Sequence, residues 1–495
     1  MSDLKEKKSL TEVSEIEVVE LPGPTQVDRA LERKLLRKLD LRILPVFYLL
    51  SIISHIDRAN LGNVRIEGIL VDLHMVKMDY NKAILVFMVA CIVFELPSSL
   101  MVRRFKPGNW IATIMLCWGI VTLCTGFTQT FSGLLACRFI VGSLEAGFGP
   151  CVAYLISQYY KRHEFQIRYS LYSTASQIGG AFGGFLAFAL AKMGGLEGYK
   201  PWRWIFIMEG VVTIIVASFA FFFVVPLPEN ATFLKKDEKD LLISRLKYDQ
   251  SESGADADTE PLTLRETIKI GLSWKVLLTL VIFFVVDVYS SSVSSFQPTI
   301  LKNIGWTSSE AQIHTIPVYM TALVFNITFA FLSFHFKLRS PFIILGAAIG
   351  LVGWILELTS IPYISPTTGF GVAGQRYAGM FLIAIGGAVQ SPILVVWLAN
   401  NMRGRKERIV SLGVLLAGAH SGNVVTANVF ITSQERKGFP VGFAAGSALA
   451  GVGVLATIGL AFGYWMENKK FAKKEKEEIE NGGTLGEYQP FRNTL

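Results

Sequence analysis

The stretch from Arg138 to Pro150, RFIVGSLEAGFGP, sets an arginine and a glutamate seven residues apart in an otherwise apolar, glycine-rich run. Seven residues is nearly two helical turns, so Arg138 and Glu145 share one face, roughly 10 Å apart along the axis. Ionisable groups at membrane depth are costly and mark ion or substrate paths. A guanidinium stays charged at any relevant pH and grips a carboxylate through two parallel hydrogen bonds. A carboxyl group in a low-dielectric cavity can hold and release a proton. The same two residues also fit a plain ion-pair lock between helices. Gly142 and Gly147 thin the helix between and beside them and let another backbone approach.

A second group lies in SHIDRANLGN, where His55, Asp57, Arg58 and Asn60 fall close together in an apolar span. Asp57 and Arg58 are adjacent, about 100° apart around a helix, so they must serve different neighbours. One reading gives Arg58 to an anionic substrate and Asp57 to proton traffic; the other makes them a helix-end charge pair snorkelling to the outer surface. Weaker signals accompany these. Glu95, just before Pro97, suits an interhelical hydrogen bond, and Asp287, Tyr289 and the serines of YSSSVSS lie where a later helix can face a cavity. Asn423, in GAHSGNVVTANVF with His420, is the preferred neutral ligand from that half. Glu357 reads as structural, and His163 and His314 as surface or loop residues.

The elements that must position these residues are membrane helices. Of 495 residues 51% are apolar and 17% charged, and the mean hydropathy is +0.44, far from a water-soluble composition. Twelve apolar runs are long enough to cross about 30 Å of hydrocarbon, among them 82–101, 131–157 and 408–432. They divide the chain into a tail (1–42), six helices (43–225), a polar linker (226–273), six more helices (274–466) and a second tail (467–495). Within the linker, residues 236–247 (KDEKDLLISRLK) suit a short amphipathic helix, and the acidic SESGADADTE reads as flexible. The fold class expected is an all-α membrane protein of twelve transmembrane helices in two pseudo-symmetric six-helix bundles.

The first 42 residues lack the apolar core and small-residue cleavage site of a secretory signal, which leaves the first membrane helix as the targeting signal. Basic residues such as Arg103, Arg104, Lys161, Arg162, Lys337, Arg339, Arg403 and Arg405 gather in loops on the side of both tails, which makes that side cytoplasmic. The net charge of +8 is therefore a topology signal, and no nucleic-acid partner is expected. All five cysteines fall inside helices with no metal or disulfide spacing. A faint repeat lays GPCVAYLISQYYKRHEFQIR over SPILVVWLANNMRGRKERIV; it puts Arg138 on Met380 and Glu145 on Gly387, so the second half lacks both charges. No phosphate loop, nucleophile elbow or His-rich motif is present, so neither an ATP-driven pump nor an enzyme is expected, and no cofactor or metal.

DRANLGN, RFIVGSLEAGFGP, the following YYKRHEFQIR and the asparagine-bearing eleventh helix together resemble the anion:cation symporter branch of the major facilitator superfamily. The likeness covers the membrane region and is strongest to fungal permeases for allantoate, nicotinate, pantothenate and related carboxylates. It implies that Arg58 and Arg138 contact the anion, that Asp57 and Glu145 couple the proton, and that Asn423 contacts substrate; Tyr289, on the seventh helix, is a further candidate substrate contact read from its place in the chain. One departure stands out: the loop after the second helix reads SSLMVRRFKPG, without the acid common there in the superfamily. The expectation is thus proton-coupled uptake of a small organic carboxylate by a multi-pass, monomeric protein of a fungal plasma membrane, with lipid, anion and proton as partners. Two alternatives are export of a metabolite or drug by proton antiport, and a nutrient receptor with little transport.

Overall fold

Once a chain enters hydrocarbon, each of its backbone N–H and C=O groups must be bonded internally, and helices meet that demand within one segment. The computed structural model describes residues 29–76, 78–104, 106–251, 263–336, 338–361, 370–402 and 404–480, and among them it is helical with no strand. The start of the N-terminal tail, the acidic run of the linker, the C-terminal tail beyond 480, and Lys337 and Arg403 lie outside the described residues.

The first half comprises α1 (Arg29–Ile66), α2 (Ile69–Asp72), α3 (Asp79–Arg104), α4 (Pro107–Thr125), α5 (Phe131–Glu145), α6 (Phe148–Tyr159), α7 (Arg162–Ser173), α8 (Ala175–Ala191) and α9 (Pro201–Phe223). The linker supplies α10 (Lys236–Ser251) and α11 (Leu264–Gly271). The second half comprises α12 (Trp274–Asn303), α13 (Ser308–Phe336), α14 (Ser340–Ser360), α15 (Phe370–Asn400), α16 (Gly404–Ala417), α17 (Ser421–Val429) and α18 (Pro440–Glu480). The chain separates at Arg42 into two compact units, and the two halves pack together within the second, Ile43–Leu495.

Among the described residues, ten helical runs, with α5–α6 and α7–α8 each taken as one, are long and apolar enough to cross a membrane. The two remaining expected crossings fall on α3 and on the interrupted run from Gly404 to Val429. Start signals are local: prolines open α4 and α9, and Thr130 accepts a bond from the Gly133 amide at the head of α5. The expected amphipathic linker helix is α10, whose Arg245 forks onto Glu164 of α7 with two 3.0 Å bonds.

Small residues set the packing. In the first half α4 lies on α9 and α5, and α3 on α5; in the second α14 lies on α15 and α18, and α12 on α15 and α18. A Cβ on Gly386 of α15 would stand 2.6 Å from the Cα of Gly350 on α14, and one on Gly142 would stand 2.5 Å from the Phe87 carbonyl of α3. Such backbone approach is how helices associate when lipid removes the hydrophobic drive between them. Outward faces carry large apolar side chains, with Phe222 79% and Leu455 71% exposed. In water such a surface would aggregate; against acyl chains it is the expected one.

The two halves meet along α8 with α13 and α3 with α17. At the end away from the linker a polar clasp joins them. Arg65 pairs with Glu435 at 2.7 Å, its guanidinium set over Tyr80 (4.2 Å) and near Phe296 (5.6 Å). Asn81 donates to the carbonyls of Ala427 and Phe430 at 2.6 and 2.8 Å, and Gln312 donates to Glu67 at 3.0 Å. Toward the linker end, Tyr169 of α7 packs instead against an apolar cluster around Ile393, Leu394 and Trp397.

The glycine contacts yield a paired test. Gly142→Ala should destabilise the purified protein by about 1–3 kcal/mol through overpacking. Gly459→Ala, on α18 where no atom stands within 4 Å of the added Cβ, should stabilise it by about 0.5–1 kcal/mol. Thermal midpoints moving in opposite directions would confirm the assignment of contacts.

Candidate functional site

Between the halves lies a cavity of about 360 Å³. That is toward the small end of the range of roughly 300–1,000 Å³ for small-molecule sites. From the first half its wall includes His55, Arg58, Glu95 and Arg138, and from the second Asp287, Tyr289, His420 and Asn423. Three of the expected crossings on the wall are divided. The expected single run 131–157 stops at Glu145 and restarts at Phe148, the fifth crossing divides at Thr174 between α7 and α8, and the eleventh is interrupted by a 3-10 turn at Gly418–His420 between α16 and α17. Gly147 precedes the restart of α6, and Gly418 opens the 3-10 turn.

Arg58 donates from Nε to Oε1 of Glu145 at 2.5 Å, and Ser54 donates to the same oxygen at 2.7 Å. Glu145, 1% exposed, thus sits behind the wall and is joined across helices to Arg58. The lock that holds Glu145 runs between helices, from α5 to α1, and Arg138 takes no part in it. Two residues seven apart on one helix stay roughly 10 Å from each other along the axis, whereas a neighbouring helix can bring Arg58 directly onto the carboxylate.

Asp57 also lies outside the wall. It is turned away from Arg58 around α1 and accepts from the Trp118 indole at 2.8 Å and from Thr213 at 3.4 Å, in a junction with α4 and α9. The reading of Asp57 and Arg58 as a helix-end pair snorkelling outward does not hold, because Asp57 is 5% exposed and enclosed by protein.

Arg138 is on the wall and differently placed. It is 6% exposed, its guanidinium lies 5.3 Å from the Phe206 ring, and among the described residues neither Nε nor Nη2 has a hydrogen-bond partner. Asp57 and Glu145 act on it electrostatically without bonding it. Burying a guanidinium with unused donors is expensive, and an anion in the cavity would satisfy them.

In the second half Asn423 is already engaged: its side-chain amide donates to both oxygens of Asp287 at 2.8 and 2.7 Å, and its backbone N–H adds a third bond at 2.8 Å. It therefore fixes Asp287 on the wall. Tyr289 is 1% exposed, packs against Trp354 at 5.8 Å, and has a hydroxyl with no partner among the described residues. Glu357 is bound by Arg376 at 2.8 Å, a buried structural pair away from the wall. Sequence reasoning passes over three groups: Trp118 and Thr213, which hold Asp57, and Glu209 of α9, also buried. Glu209 does carry a signal, being a lone carboxyl in the apolar run WIFIMEGVVTII.

The model of the Major Facilitator Superfamily matches residues 47–413. The chain is 28% identical to the MFS-type transporter efuF of Hormonema carpetanum, covering 92% of this chain and 90% of that one. It is 27% identical to the high-affinity nicotinic acid transporter of Saccharomyces cerevisiae, covering 96% and 84%. Its fold is similar to a crystal structure of a D-xylose–proton symporter at a TM-score of 0.63 with 14% identity, covering 85% and 97%. With its all-helical membrane architecture and a cavity walled by both halves, this multi-pass membrane protein belongs to the major facilitator superfamily and is a transporter, not an enzyme.

Proposed function

We propose that the protein carries a small organic carboxylate into the cell together with a proton, across a fungal plasma membrane, as a monomer with both termini cytoplasmic. The observation that carries this reading is Arg138: a buried guanidinium on the cavity wall with two nitrogens unbonded among the described residues. A carboxylate presents two oxygens that match that fork. The cavity volume and the likeness to a nicotinic acid transporter both support a small monocarboxylate.

Coupling arises from the second arginine. With Glu145 ionised, Arg58 is occupied by it and by no anion. A proton on Glu145 removes the charge that holds Arg58, which is then available to the substrate beside Arg138. Arginines then bind the anion, while the carboxyls of Glu145 and Asp57 account for the proton. With Asp287 already held, Asn423 and Tyr289 complete the second-half wall against which the substrate rests. Rocking of the two halves about this site, with the clasp of Arg65 and Asn81 opening and closing one end, gives alternating access.

Uptake by intact cells or proteoliposomes of nicotinate, pantothenate, allantoate and sugar acids at two external pH values tests the reading. Acidifying the outside should raise uptake, because protonation loads the carrier, and an uncoupler should abolish accumulation. Uptake indifferent to the gradient would overturn coupling. Arg138→Lys keeps the charge and loses the fork, a loss of about 1.5–3 kcal/mol, so transport should fall at least tenfold. Near-normal uptake by that variant would remove Arg138 from the anion site. Glu145→Gln should cut gradient-driven accumulation far more than counterflow exchange, read as the ratio of the two in the same vesicles.

A further inference from the structure

Behind the cavity wall lies a pair of carboxyl groups of which the coupling scheme uses only one. Glu209 on α9 is 4% exposed, and among the described residues neither of its oxygens has a hydrogen-bond partner. The group that acts on it electrostatically is another acid, Asp57. Thr213, one turn further along α9 and on the same face, donates to Asp57 at 3.4 Å, so α9 turns Glu209 and Thr213 together toward α1. Gly210 holds α9 in place, since a Cβ there would lie 2.5 Å from the Leu123 backbone nitrogen of α4. Trp118 of α4 closes the junction from the other side and fills Oδ2 of Asp57, whose Oδ1 has no partner among the described residues.

Two ionised carboxylates within electrostatic reach of each other in one buried junction, one of them with no hydrogen-bond donor among the described residues, are not sustainable in a low-dielectric interior. One proton held between them removes the repulsion and gives one partnerless oxygen of each group a hydrogen bond. We propose that Asp57 and Glu209 form a proton-sharing carboxyl pair, a proton-binding site distinct from Glu145, whose charge is read by Arg138 at the cavity wall. This deepens the proton-coupled reading of the transporter and rests on it.

The charged groups facing the pair are few. From α5, Arg138 and Glu145 both act on Asp57. Arg58 follows Asp57 on α1 but is committed to Glu145, and Glu95 and Asp287 act on Arg58 from the cavity side. Arg58 and Glu145 cancel. Arg138 and a pair holding one proton likewise cancel. An arriving carboxylate adds one negative charge, which the proton on Glu145 that releases Arg58 offsets; a second proton on the pair then gives the loaded carrier one net positive charge, two protons moving with each anion. Both protons come from solvent and return to it when the anion leaves, with no other bond made or broken.

The test uses the purified full-length transporter and two readouts. Infrared difference spectra on stepping the pH upward should show loss of a protonated-carboxyl band in the wild type. That band should vanish in Glu209→Gln and in Asp57→Asn and persist in Glu145→Gln. In vesicles, Glu209→Gln should lower the ratio of gradient-driven accumulation to counterflow at least tenfold, with Glu209→Asp restoring part of it. A band unchanged in Glu209→Gln, or an unchanged transport ratio in a well-folded variant, overturns the pair. Wild-type uptake that ignores the gradient while the band behaves as described would defeat the coupling scheme and leave the carboxyl pair standing.

Discussion

A charge placed inside a membrane must be answered within a few ångströms, because hydrocarbon supplies neither water nor counterion. The interior of this protein is organised around that demand. Glu145 is answered by Arg58 and Ser54, Glu357 by Arg376, and Asp287 by three hydrogen bonds from two nitrogens of Asn423. Each answer joins two helices, so the ion pairs also set which helices touch. On the cavity wall Arg138 and Glu95 both keep polar atoms without a partner among the described residues, and the unanswered donors of Arg138 give the site its polarity for an anion. A transporter needs such an imbalance: a cavity fully satisfied by its own side chains would gain nothing from a substrate.

Much of this is legible in the chain. Apolar runs of membrane length mark the crossings, since length and hydropathy are one-dimensional properties. Individual charges in apolar context flag Arg58, Asp57, Arg138 and Glu145 because their cost depends on depth alone. What the chain conceals is partnership. Spacing along α5 points to Arg138 with Glu145, yet Glu145 meets Arg58 from another helix. Asn423 reads as a free ligand in one dimension, and in three it is bonded to Asp287, 136 positions away. Contacts between helices depend on crossing angles and glycine contacts such as Gly142 with Phe87, which no local pattern encodes.

The breaks in the wall helices are equally hidden. The apolar pattern from 131 to 157 is continuous, and nothing in its hydropathy marks an interruption at Ala146 and Gly147. The break sits where Gly147 meets Ser98 of α3, a steric fact of the assembled bundle. Placing irregular backbone there is tolerable because protein and cavity, not lipid, surround it.

The short helix α17 links two parts of the molecule that would otherwise be remote. Its first turn carries Asn423, which holds Asp287 on the cavity wall, while the carbonyls of Ala427 and Phe430 at its far end are gripped by Asn81 in the clasp. Nine residues from Ser421 to Val429 thus carry both contacts on one helix, set off from α16 by the 3-10 turn. The bond that holds Asp287 at the cavity and the bonds that hold the far end shut are borne by one short helix, so the cavity and the closed end share a structural element.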